Sequence, residues 1–94
     1  MLYKHPYVIL RREIDQIDLQ QKYIEEEHFI YLYEDRIETA EQKFDLKIVF
    51  DMSYKMLSAS YGFFYLHTTK GVSTFQIKDE PDELIIQFRK VEIK

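Results

Sequence analysis

Three histidines, His5, His28 and His67, are the side chains of this 94-residue chain best suited to carry a proton or hold a metal ion. None has a second histidine at the spacing that puts two imidazoles on one face of a helix. His28 comes closest, because it follows Glu25-Glu26-Glu27, but the same tract is what a solvated, acidic strand end contains. Ser53, Ser58, Ser60 and Ser73 lack the glycine-flanked elbow that presents a nucleophilic hydroxyl. Gly62 and Gly71 are the two glycines, too few for a phosphate-cradling loop. The chain has no cysteine, which excludes disulfides, thiolate ligands and cysteine nucleophiles. Carboxylates are plentiful, yet no spacing singles out an acid–base pair. These residues predict no enzyme, no cofactor and no metal.

Recognition is the chemistry they favour. Eight tyrosines and seven phenylalanines make the chain rich in residues that suit a pleated, half-buried surface. Phe29, Tyr31 and Tyr33 share the strand parity opposite to the apolar one, as do Phe63, Tyr65 and His67. Facing outward, those six would form an aromatic surface for a protein partner or a second copy of the chain. The other reading is that a helix, loop or N-terminal arm covers them, or that the parity reverses at a bend. Arg11, Arg12 and Lys22 offer an alternative, a site for a lipid headgroup or small anion. A net charge of −4 argues against non-specific nucleic-acid binding and against attraction to an anionic membrane surface. The adjacent basic pairs, Arg11-Arg12 and Arg89-Lys90, read as solvated surface.

The elements that must position these residues are mostly strands. No linker or repeat divides the chain, so residues 1–94 are expected to form one domain. The start of the chain carries no apolar leader, and no stretch approaches the ~20 apolar residues of a membrane span; the expected location is the cytoplasm. Residues 7–14 predict a first strand, with Val8, Leu10 and Ile14 in phase. Residues 15–21 read as a loop, with a helix over 14–26 as the alternative. Residues 24–33 and 36–40 predict a hairpin turning at Glu34-Asp35, with Ile30, Leu32 and Ile37 on one face; Glu41-Gln42 turns the chain again.

Residues 44–54 carry the cleanest alternation. Phe44, Leu46, Ile48, Phe50, Met52 and Tyr54 share one face of one long strand, expected to bend or bulge near Phe50-Asp51. Residues 57–60 read as a loop. Residues 62–69 and 72–78 flank Lys70-Gly71, a two-residue turn that would set Leu66 opposite Phe75 and Phe64 opposite Ile77. Asp79 is the expected cap of a final helix with Pro81, Asp82 and Glu83 in its first turn and Leu84, Ile85, Phe88 and Val91 on its inner stripe.

Six or seven strands and then one helix resemble a pleckstrin-homology-like (PH-like) fold, and more narrowly the small bacterial PH-like proteins of unknown function. The residues that carry the resemblance are Leu32-Tyr33-Glu34-Asp35-Arg36-Ile37-Glu38-Thr39, Lys47-Ile48-Val49-Phe50-Asp51-Met52-Ser53-Tyr54 and Phe64-Tyr65-Leu66-His67-Thr68, with the second hairpin and the C-terminal helix. The resemblance covers roughly residues 24–91 and implies a mainly β barrel of two packed antiparallel sheets, plugged by the C-terminal helix. It implies a binding or interaction module rather than an enzyme. Two departures stand out. Residues 15–22 hold one Lys against two Asp, where phosphoinositide-binding relatives carry a basic cluster, and the chain lacks the tryptophan usual in the family's terminal helix. Inositol-phosphate binding is therefore not implied.

Overall fold

The structure is a computed structural model. It describes the backbone of residues 1–14 and 21–92 and the side chains of residues 1–10 and 24–91. Seven strands precede one helix: β1 (Tyr3–Ile14), β2 (Gln21–Leu32), β3 (Arg36–Glu38), β4 (Lys43–Asp45), β5 (Val49–Ser58), β6 (Tyr61–Thr68), β7 (Gly71–Ile77) and α1 (Asp82–Glu92). A 3₁₀ turn at Leu46–Ile48 joins β4 to β5. The protein is thus mainly β with one C-terminal helix. All the strands run antiparallel in one sheet of order β4-β3-β2-β1-β7-β6-β5. The sheet does not close, so β4 and β5 are its edges.

The joint between β1 and β7 is narrow. β1 pairs with β2 along its whole length, from Tyr3↔Leu32 to Ile14↔Gln21, but meets β7 only at Val8↔Gln76. That explains how Pro6 sits inside β1. A proline cannot donate to a ladder, and it is tolerated where one side of the strand lacks a neighbour. The register also corrects the face of β1. Tyr7 is buried and Ile9 packs on the core, while Leu10 is exposed. Tyr7 lies edge-on to Phe75, with ring centroids 5.2 Å apart, and its hydroxyl accepts the Ala40 N–H at 3.1 Å. Apolar character alone favoured Val8 and Leu10, of which Val8 is buried and Leu10 is not; the hydrogen bond that makes Tyr7 acceptable inside is made only in the folded chain.

Elsewhere the expected elements form, with shifts. β2 begins at Gln21, which replaces the helical alternative for the tract before Ile24 and takes the last residue of the loop expected over residues 15–21; the rest of that loop, residues 15–20, lies outside the described residues. The turn at Glu34-Asp35 forms, closed by Tyr33 N–H donating to the Arg36 carbonyl at 2.8 Å. The long strand over residues 44–54 is instead β4, the 3₁₀ turn and β5. Asp45 starts that turn by accepting the Lys47 N–H at 2.9 Å. The expected irregularity is present, as a register shift between Val49 and Asp51. Between the two the parity is reversed, with Val49 buried and Phe50 exposed, and the shift then restores it, so that Phe44, Leu46, Ile48, Met52 and Tyr54 pack on the core as expected and only Phe50 departs. β5 then runs on to Ser58, into the stretch expected to be a loop, of which residues 59–60 form the turn.

In the next hairpin Thr68 pairs with Gly71, so the turn is Thr69-Lys70 and Gly71 opens β7 with φ +126°. Phe64 accordingly faces Phe75, and Gly62 faces Ile77. Each pairing moves by two residues, and a shift of two leaves every side chain on its face. The helix begins at Asp82, three residues beyond the expected Asp79 cap, with Pro81 buried just ahead of it. Leu84 and Phe88 enter a core built from Ile30, Leu32, Ile37, Phe64, Leu66 and Ile77. Burying each such side chain stabilises the fold by about 1.5–3 kcal/mol.

Candidate functional site

β5 is an edge strand of ten residues, and α1 stands beside it. Between them lies an open groove of about 560 Å³ lined by Met52, Ser53, Tyr54, Asp82, Ile85, Ile86 and Arg89. The alternation of β5 sends Met52, Tyr54 and Met56 toward the core side and Asp51, Ser53 and Lys55 to the outer face. The Tyr54 hydroxyl donates to Asp82 at 2.7 Å, spanning the groove at the start of α1. That hydrogen bond to a carboxylate raises the phenol above its ordinary value. The walls are apolar, from Met52, Ile85 and Ile86, and Ile86 is exposed. Arg89 and Lys55 make no ion pair with any described residue.

The free side of β5 adds a second property. Alternate residues of an edge strand point their N–H and C=O groups away from the sheet, where they can pair with another chain. β4 offers only three residues at the opposite edge. Groove and free backbone together fit an extended segment lying antiparallel to β5, with every second side chain turned toward α1.

The six aromatic-face residues are all half-buried. Lys4 Nζ lies 4.6 Å from the Phe29 ring centroid, and the Arg36 guanidinium lies 4.1 Å from that of Tyr33. Tyr31 stacks tilted on Phe29, Phe63 meets Tyr61 edge-on, and His67 lies against Phe50. Tyr65 sits between Ser53 and Thr74 on the flanking strands. Strands β1 and β7 separate the β2 group from the β6 group, a gap of roughly 14 Å at three strand spacings. The fold does not bring the two groups into one patch. Of the alternative anion residues, the backbone pairs Arg11 with Ile24, Arg12 with Tyr23 and Lys22 with Glu13; their side chains lie outside the described residues.

One juxtaposition was invisible in the sequence. Ser53 Oγ lies 2.8 Å from His67 Nε2, although the two are fourteen residues apart. Only the β5–β6 register, with its shift beside Asp51, brings them together. A hydroxyl beside an imidazole is the first half of an activated nucleophile. The other ring nitrogen of His67 bonds to no described carboxylate, so no carboxylate among the described residues orients the ring as a base. His28 donates to Glu26 at 3.2 Å, and among the described residues no group of three His, Asp or Glu side chains could hold a metal ion.

No family model, curated protein or solved structure matches the chain. Among the described residues no helix is long and apolar enough to cross a membrane. What the β5–α1 groove can bind therefore rests on its own geometry.

Proposed function

We propose that the chain is a non-enzymatic binding module with a PH-like arrangement, and that it takes an extended protein segment on the free edge of β5. The joint at Val8↔Gln76 supports that arrangement. In that reading β4-β3-β2-β1 and β7-β6-β5 correspond to the two sheets, and α1 to the plug. The observation that carries the binding reading is the groove between β5 and α1, apolar on both walls and flanked by unpaired backbone. The segment that fits alternates apolar residues toward Met52, Ile85 and Ile86. On the outer face it sets a cation opposite Asp51 and an anion opposite Lys55.

A random-peptide library selected on the full chain tests this, with the selected peptide then mapped by amide chemical shifts. Shifts are expected in residues 51–56 and at Ile85, Ile86 and Arg89, and Ile86→Lys, a change at an exposed position, is expected to remove them. Peptides that perturb residues 29–33 and leave β5 and α1 untouched would overturn the reading.

A further inference from the structure

β5 itself meets the requirements just stated for its partner. Resting on that reading, we propose that the occupant of the β5 edge is β5 of a second copy, the two edges pairing antiparallel about Ser53. A two-fold axis normal to the sheet keeps each copy's inner face on the same side. Residues that face each other must then share parity, so their numbers sum to an even value. Asp51 and Lys55 are the only charged residues in β5. Pairing centred on Ser53 sets Asp51 against Lys55 of the second copy, twice.

The neighbouring registers do not. A shift that centres the pairing on Met52 or Tyr54 leaves both charges facing uncharged residues. A shift to Asp51 or Lys55 brings like charges together, which is destabilising. The Ser53 register also sets Met52 against Tyr54 of the second copy on the groove side. Charged residues on an edge ordinarily deter pairing. Here their symmetry about Ser53 makes them a key for one register of self-pairing. The regular part of the β5 ladder, from Asp51 to Met56 between the two register shifts, contains the whole charged motif.

Sedimentation equilibrium of the full chain tests the proposal. A concentration-dependent dimer is expected. Lys55 has no ion-pair partner among the described residues, so Lys55→Asp breaks no described ion pair within the monomer and should weaken the dimer about tenfold or more, two attractive pairs having become repulsive. The double change Asp51→Lys with Lys55→Asp should restore it. Asp51 accepts the Met52 N–H at 2.8 Å, so Asp51→Asn, which keeps an acceptor, is the variant to use where the double change disturbs the fold; it should weaken the dimer severalfold.

Oxidative cross-linking gives an independent readout, because the chain has no cysteine of its own. Only residue 53 faces its own copy, at the ~4.5–5.5 Å Cα separation of opposed strand residues, within disulfide reach. Ser53→Cys should form a covalent dimer much faster than Lys70→Cys. A monomer at every concentration overturns the proposal, as does a dimer indifferent to Lys55→Asp or equal cross-linking at positions 53 and 70. If the chain is monomeric yet a selected peptide still perturbs β5, the second copy is refuted while the groove reading stands. If neither binds, both fall.

Discussion

His5 is 5% exposed, and its Nε2–H donates to the Asp79 carbonyl at 3.2 Å, tying the first strand to the segment that leads into α1. Burial disfavours the imidazolium and lowers the ring's pKa below the ordinary 6.5, outweighing the opposing pull of Asp79. In the window just below pH 6.5 the unfolded chain takes up a proton that the folded chain resists. Stability therefore rises with pH through that window and falls as the solution is acidified. Urea denaturation at several pH values is expected to show that slope, and His5→Gln is expected to flatten it. An unchanged slope would mean that His5 is not the group responsible. The sequence offered His5 as one of three candidate ligands; its burial and its carbonyl partner, 74 residues away, could not be read there.

Among the elements, the β5–β6 hairpin is the most tightly constrained. A Cβ on Gly62 would stand 2.6 Å from the Lys55 carbonyl oxygen and 2.9 Å from Met56 Cα, so the two backbones pack where only glycine fits. Gly62→Ala is expected to cost about 1–3 kcal/mol, the range of an overpacked interior. At Gly71 a Cβ would meet nothing within 4 Å, and the cost is conformational, from φ +126°. Gly71→Ala is expected to cost about 1–2 kcal/mol. The two mechanisms separate in a second measurement: Gly62→Ala should shift the amide resonances of Lys55 and Met56, whereas Gly71→Ala should perturb only its own turn. Both glycines stood out in the sequence, Gly71 for its turn and Gly62 merely as a strand start. The crowding at Gly62 depends on the register shift between Met56 and Ser58, which period-two counting cannot detect.

At the scale of the molecule, a single residue pair joins β1 to β7 within the seven-stranded sheet. Beyond Val8, β1 pairs only with β2 among the described residues. A two-stranded ribbon is marginal in water without a third strand or a packed face. Native-state amide exchange is thus expected to be fast in residues 11–14 and 21–24. It should be slow in the centre of β6, which β5 and β7 flank. Uniform protection across β1 would show that the joint is stronger than one pair. A dimer through β5 would further slow exchange on the free side of that strand and leave the ribbon unaffected.

Alternation and turn chemistry in the sequence were enough to determine a mainly β chain with one terminal helix. Ile30, Leu32, Ile37, Phe64, Leu66, Leu84 and Phe88 could be assigned to the core because local periodicity and burial coincide along regular elements. That logic failed wherever regularity broke. The 3₁₀ turn at Leu46–Ile48 reverses the parity at Val49 and Phe50 before the register shift restores it at Met52, and Tyr7 is inside because a hydrogen bond from a distant loop satisfies its hydroxyl. Strand order, the free edge of β5 and its groove against α1 were decided by the tertiary structure alone. They depend on which strands meet across long stretches of chain, and no local period encodes that. Once β5 is known to be an edge, the symmetry of Asp51 and Lys55 about Ser53, present in the sequence throughout, acquires a physical meaning.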